Sequence, residues 1–192
     1  MRSVQAIAIA VGILAAAPAP SSAAASAPAA GPTFTVGSSA GVDVYSQSNY
    51  SALVASTGGG FPSLSVAEPG LRLGLVAPDG KLEIAAQVGA LVIASFDGMA
   101  TLGGATLDGN YHFRSDADVS QYVGLHAGIT GAGYESGEFR TSVGAQVGAR
   151  RMVSSGHGAI RLELRGSLIT SEYSQAPLTD LGLRVGYDLW FR

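Results

Sequence analysis

The sequence predicts an all-β protein: an eight-stranded antiparallel up-and-down transmembrane β-barrel. Three observations carry that prediction. Apolar and polar residues alternate with period two through eight segments of about ten residues, the length a tilted strand needs to cross a bilayer. Hydrophobic residues make up 47% of the 192 positions and charged residues only 13%, yet no run reaches the roughly 20 apolar residues of a spanning helix. A membrane barrel reconciles the two, because alternate apolar residues escape a search for helices. The polar side of the alternation is also crowded with glycine and arginine, as a narrow barrel interior requires.

The first segment, Thr35 to Tyr45, sets Val36, Ala40, Val42 and Val44 against Gly37, Gly41 and Asp43. Gly70 to Ala77 follows, with Leu71, Leu73 and Leu75 opposite Arg72 and Gly74. In the third, Lys81 to Ile93, Leu82, Ile84, Ala86, Val88 and Val92 oppose Glu83, Gln87 and Gly89. The fourth, about Ala100 to Arg114, ends with Leu107, Tyr111 and Phe113 against Asp108, Asn110 and His112. Ser120 to Thr130 places Val123, Leu125, Ala127 and Ile129 against Gly124, His126 and Gly128. Phe139 to Val153 places Val143, Ala145, Val147 and Ala149 against Ser142, Gly144, Gln146, Gly148 and Arg150. Ala159 to Thr170 has the sharpest pattern, with Ile160, Leu162, Leu164 and Leu168 against Arg161, Glu163, Arg165 and Ser167. The last, Thr179 to Arg192, carries Leu181, Leu183, Val185, Tyr187, Leu189 and Phe191 on one face. Asp180, Gly182, Arg184, Gly186, Asp188 and Trp190 occupy the other.

Links between the segments alternate as well. Pro78-Asp79-Gly80, Ser115 to Val119 and Ser154 to Gly158 read as short turns, expected on the periplasmic side. Ser46 to Pro69, the region from Phe96 to Gly104, Gly131 to Glu138 and Ser171 to Leu178 read as longer external loops. The first of these holds Tyr50, Phe61 and three consecutive glycines, and is the expected surface-contact loop.

Periodicity cannot say which face is outside. A soluble lipocalin-like carrier would show the same alternation with its apolar side inward. Three features favour the reverse. Ten glycines on the polar side (Gly37, Gly41, Gly74, Gly89, Gly124, Gly128, Gly144, Gly148, Gly182 and Gly186) mark a space without room for more volume. The same side carries opposite charges that pair across strands: Asp43, Arg72 and Glu83 early in the chain, then Arg140, Arg150, Arg161, Glu163, Arg165, Arg184 and Asp188. Aromatic residues gather at strand ends, with Phe34, Tyr111, Phe113, Tyr187 and Phe191 at the periplasmic end. Tyr45, Phe96, Phe139 and Tyr173 lie near the outer one, which predicts two interfacial girdles. Arg151 breaks the alternation at a strand end, where its head can snorkel into the headgroups.

The N-terminus reads as an export signal. Arg2 supplies a positive start, Ala6 to Ala17 an apolar core, and Ala23-Ala24-Ala25 a small-residue site with cleavage expected after Ala25. Residues 26–32 then form a flexible lead-in to a barrel over 33–192. Cysteine is absent, so no disulfide holds the exported chain and the closed strand ladder must do so.

With these features in place, residues 33–192 resemble the small bacterial outer-membrane β-barrels, including the outer membrane protein A-like transmembrane domain and opacity-type barrels. The resemblance rests on the eight alternating segments, the export signal and a C-terminal spacing in Arg184, Gly186, Leu189 and Phe191. In that family the spacing is the assembly signal read by the barrel-assembly machinery; here Arg192 follows Phe191. The resemblance implies location in the bacterial outer membrane, outer-membrane lipid as surroundings and an unidentified external partner.

Other functions find little support in the residues. A formal charge of −3 argues against nucleic acid as a partner. No metal cluster, phosphate loop or nucleophile elbow is visible, and no cofactor is expected. His112 and His126 fall on the inward side and join the polar network, while His157 lies in a turn. A lipid-modifying barrel enzyme needs a histidine and serine together on a lipid-facing strand surface, which the sequence does not display. A narrow pore is opposed by the charge pairs that fill an eight-stranded interior. The expectation is therefore a non-enzymatic barrel with a structural or surface-interaction role.

Overall fold

Eleven strands follow one another along the chain: β1 (Thr33–Gln47), β2 (Tyr50–Ser56), β3 (Pro62–Ser63), β4 (Val66–Ala67), β5 (Leu71–Val76), β6 (Leu82–Ser95), β7 (Gly98–Ser115), β8 (Val119–Gly133), β9 (Glu138–Val153), β10 (Gly158–Ser171) and β11 (Ser174–Phe191). This is a computed structural model, and it describes residues 31–47, 50–56, 62–63, 66–67, 70–95, 98–115, 118–133, 138–153, 156–171 and 174–191. The expected export signal lies outside the described residues.

From β5 to β11 each strand pairs antiparallel with the next, and β11 pairs back onto β1 to close the wall. That closing ladder is long, running from Phe34 opposite Phe191 to Ser46 opposite Thr179. The other side of β1 is shared. Thr33–Gly37 pairs with β5, and Gly41–Gln47 pairs with β2. β2 and β5 therefore occupy one column of the wall, interrupted between Ser56 and Leu71, and the columns number eight. At the interruption the Ser38 hydroxyl donates to the Gly70 carbonyl at 2.8 Å. β3 and β4 pair only with each other, and β4 comes close to β6, β7 and β8.

The alternation reads directly as two faces. Along β11 every odd position from Leu181 to Phe191 is exposed and every even one buried. Leu125 on β8 is 71% exposed, while Tyr122 and His126 beside it are buried. The outer surface is thus leucine, valine and isoleucine, and the interior is charged, the inverse of a soluble barrel. Two small apolar floors bound that interior. Val76, Ala159 and Trp190, with Met152 against them, lie at the short-turn end; Tyr45, Ile169 and Leu178 lie at the opposite, loop end.

The turn after β5 shows why one local sequence fixes a hairpin. Gly80 has φ of 70°, a left-handed conformation that costs an L side chain but not glycine. Its N–H donates to the Ala77 carbonyl at 2.8 Å, and the Asp79 carboxylate accepts from the Lys81 N–H at 3.0 Å.

The structure corrects three expectations. Tyr45 is not a girdle aromatic: it sits on the Asp43 side of β1, faces inward and is 2% exposed. Ser46 to Pro69 is not one loop, because β2 lies within it and belongs to the wall. Two of the other expected long loops are mostly ladder. Ser95 pairs with Gly98 and Ser171 with Ser174, so β6–β7 and β10–β11 extend as tight hairpins past the expected strand ends. Pairing with a neighbour carried these strands on where alternation faded into glycine, alanine and serine. Phe96 and Tyr173 lie outside the described residues.

Candidate functional site

The interior is the chemically richest part of the molecule. Five arginines and six carboxylates are buried there. Charges taken out of water are tolerated only when paired and hydrogen-bonded, and here one carboxylate serves as a hub. Glu83 on β6 accepts from Arg72 Nη2 at 2.7 Å and from Arg150 Nη1 at 3.4 Å, and it meets His112 Nε2 at 3.1 Å. Asn110 Nδ2 also reaches Glu83, at 3.5 Å.

The network extends from this hub around the wall. Arg72 lies 3.8 Å from Asp188, which accepts from Arg161 at 2.9 Å. Arg161 and Arg165 flank Glu163 at 4.0 and 3.9 Å, and the Tyr122 hydroxyl donates to that carboxylate at 2.8 Å. Arg165 bonds Asp108 at 3.0 Å, and Gln87 donates to the other oxygen of Asp108. Gln146 links β9 to Asn110 at 2.7 Å. Arg184 and Asp43 join β11 to β1 at 3.4 Å. Apart from the Arg161 and Arg165 contacts with Glu163, which run along β10, each bond crosses between columns, so the network ties the wall together from within.

Nine of the ten charged residues singled out from the sequence are buried in this network: Asp43, Arg72, Glu83, Arg150, Arg161, Glu163, Arg165, Arg184 and Asp188. Arg140 is half-buried near the loop end of β9. Sequence reasoning left out Asp108 and Asp180 from the charges, and Gln87, Asn110, Tyr122 and Gln146 from their partners. The alternation already placed Asp108, Asn110, Gln87 and Gln146 inward; pairing by charge alone passed over them. Of the assembly-signal residues, Arg184 and Gly186 are buried, and Leu189 and Phe191 are exposed on the outer surface. Tyr50 begins β2 opposite Gln47, and Phe61 lies outside the described residues.

Both buried histidines meet a serine. His126 Nε2 lies 2.9 Å from Ser167 Oγ, and His112 Nδ1 lies 2.5 Å from Ser120 Oγ. With Glu83 on its other nitrogen, His112 completes a serine–histidine–carboxylate chain. Its arrangement differs from that of a hydrolytic triad. The serine sits on Nδ1 and the carboxylate on Nε2, the reverse of a hydrolytic triad, and Glu83 is committed to two arginines. All three side chains are buried inside the wall, whereas a lipid-modifying site needs them on its outer surface. Among the described residues no group of three or more His, Cys, Asp or Glu side chains is placed to hold a metal ion.

No protein-family model matches this sequence, and no curated protein matches it. Solved structures do. Neisserial surface protein A (NspA) aligns with a TM-score of 0.58 at 17% identity, over 82% of this chain and 97% of that one. Ail, the attachment invasion locus protein of Yersinia pestis, aligns with a TM-score of 0.54 at 12% identity, over 84% of this chain and 99% of that one. At such identities the likeness is one of architecture. With a charged interior, an apolar exterior and eight closed columns, this chain has the fold of the small eight-stranded outer-membrane β-barrels.

Proposed function

We propose that this protein is an integral outer-membrane barrel whose plugged body serves as an anchor and whose loop end is presented outside the cell for contact with a partner. The inversion of the wall carries the reading. Exposed leucine, isoleucine and valine on every column suit hydrocarbon as solvent, and charges sealed inside suit nothing else. The short turns after β5, β7 and β9 then lie in the periplasm, and β1 and β11 begin and end there. Extraction tests this. The folded chain requires detergent and migrates differently on a gel before and after boiling. A chain that stays soluble without detergent and binds an apolar ligand overturns the reading in favour of a lipocalin-like carrier.

The links at the loop end favour one partner chemistry. Ail was solved with sucrose octasulfate, a heparin analogue and a dense polyanion. Here the four links expected outside hold Glu68, Asp97, Glu135, Glu138 and Glu172, and no lysine, arginine or histidine. Such a surface repels polyanions within a Debye length of about 8 Å. The partner is neutral or cationic, with Tyr50, Phe61, Tyr134 and Tyr173 available as contact area. The detergent-solubilised barrel should pass through a heparin column at low salt. Retention there, released by salt, overturns this choice of partner but leaves the membrane reading intact.

The C-terminal spacing is proposed as the assembly signal. Arg184 and Gly186 face inward once the barrel is closed, so all four residues are readable together only on the unfolded chain. Phe191→Ala should lower the amount of protein reaching the outer membrane while the purified variant still refolds in detergent.

A further inference from the structure

Among the described residues, the outer face of the strands carries a single charge. The other charged side chains described on the strands lie on the inward side, buried or half-buried, but Arg151 points outward and is exposed. It stands two residues from the end of β9, opposite Val119 on β8 and Ile160 on β10. No hydrogen bond or ion pair holds it among the described residues. A cation on the lipid face is costly at the midplane and tolerated near the interface, where phosphate oxygens can replace the water it has lost.

Two polar neighbours flank it. Ile160 is also opposite Tyr187 on β11, so Arg151 and Tyr187 stand level, two strand spacings or about 10 Å apart. The tyrosine ring leans towards the turn end. A Cβ added to Gly158 would collide with the Tyr187 hydroxyl and ring, and Gly158, outward by parity with Ile160, is buried beneath them. The hydroxyl therefore rests at the headgroup end of the wall, over a position without a side chain. On the other flank Gln121 of β8 is outward and half-buried, opposite Ala149, the next outward residue along β9. Neither the Tyr187 hydroxyl nor the Gln121 amide is hydrogen-bonded among the described residues.

We propose that Arg151, Tyr187 and Gln121 form a headgroup site for one anionic glycerophospholipid of the phosphatidylglycerol class, in the leaflet on the turn side. A planar guanidinium presents paired N–H donors to two phosphate oxygens. The phenol donates to a third, and the Gln121 amide meets the hydroxyls of a glycerol headgroup. An ethanolamine headgroup fits less well. Its ammonium would lie beside Arg151, and among the described residues no carboxylate on the outer face of the strands receives it. Ala149, between Gln121 and Leu162, leaves room for the acyl chains to descend from the phosphate. The site rests on the membrane reading, which puts this lipid in the periplasmic leaflet, and is independent of the partner at the loops.

The barrel, purified in detergent, is titrated with phosphatidylglycerol and phosphatidylethanolamine of matched acyl chains, and bound lipid is counted by native mass spectrometry. The heat-shifted band of each variant is recorded without lipid, so a failure of the membrane reading shows there and not in the lipid counts. Wild type should retain one phosphatidylglycerol with about fivefold preference over phosphatidylethanolamine. Arg151→Gln should abolish the preference, Tyr187→Phe should weaken it, and Arg151→Lys should keep part of it through charge alone. Arg151→Gln with Leu75→Arg preserves the net charge but moves the cation to β5, between Phe34 and Ile84; it should be as indifferent as Arg151→Gln. A wild type without preference overturns the site outright, as does a preference that survives Arg151→Gln. Recovery in the relocated variant also overturns it, since attraction to any surface cation then suffices. An unchanged preference in Tyr187→Phe refutes the shared site, and selection of phosphatidylethanolamine refutes the choice of headgroup.

Discussion

At the scale of single residues, the molecule depends on side chains that a soluble domain would put in water. Glu83 is the sharpest case, because its removal leaves Arg72 and Arg150 buried without their main counter-charge. Stripping one partner from a buried ion pair costs about 3–5 kcal/mol. Glu83→Ala should therefore shift the urea midpoint of the refolded barrel strongly downward without abolishing the fold. Trp190, the sole tryptophan, gives the readout: it is buried in the turn-end floor with the Arg150 guanidinium 4.3 Å from its ring. A midpoint unchanged from wild type would mean that Glu83 is not the hub. Glycines separate in the same way. A Cβ on Gly148 would lie 2.5 Å from the Tyr122 ring and hydroxyl and 2.8 Å from the Leu162 carbonyl, so Gly148→Ala displaces Tyr122 from Glu163. Overpacking of this kind costs about 1–3 kcal/mol. Gly109 faces outward with nothing within 4 Å of an added Cβ, and Gly109→Ala should stabilise the strand by about 0.5–1 kcal/mol. The same chemical change thus has opposite signs on the two faces, and urea titration of both variants checks it.

At the scale of elements, the interrupted column decides what can be removed. Deleting residues 57–68 takes out twelve positions and leaves β2 and β5 in their present registers with β1. The product should keep the heat-shifted band in full. Deleting Ser46 to Pro69 removes β2 as well and strips the partner from Gly41–Tyr45; the shifted fraction should fall by at least half. Equal shifts in the two deletions would show that β2 is not part of the wall. This is also where the sequence was least legible. Alternation with strong contrast, as in Ile160 to Arg165 or Leu181 to Phe191, located strands and faces at once, because a charge or glycine on every second residue leaves one register. β2 reads Tyr-Ser-Ala-Leu-Val-Ala-Ser, small and weakly contrasted, and owes its place to Gly41–Gln47 alongside it. The loop-end extensions of β6, β7, β10 and β11 were hidden for the same reason. The charge network was partly legible: which side chains face inward follows from parity, but which meet follows from the stagger between columns. Nothing local to Glu83 says that Arg150, 67 residues away, shares it with Arg72.

At the scale of the whole molecule, stagger and closure fill the described interior with paired side chains between two apolar floors. A permeating ion must pass Tyr45, Ile169 and Leu178 at one end and Val76, Ala159 and Trp190 at the other. Between them it meets arginines and carboxylates already bonded to each other. An eight-stranded barrel is only wide enough for its own side chains, so widening the path means breaking ion pairs rather than moving a loop. Conductance across planar bilayers should accordingly show no regular steps for the wild-type barrel. Removing one floor alone, as in Trp190→Ala, should not create them, because the network remains beneath it. Combining Trp190→Ala with Glu83→Ala and Arg72→Ala removes a floor and the hub together, and is the variant expected to leak small ions. Regular unitary currents from the wild type would show that the pairs open under voltage and that the body is a channel. Silence from all three would place the seal in the remaining Arg161, Arg165, Asp108 and Glu163 cluster, which the wall holds from three further columns.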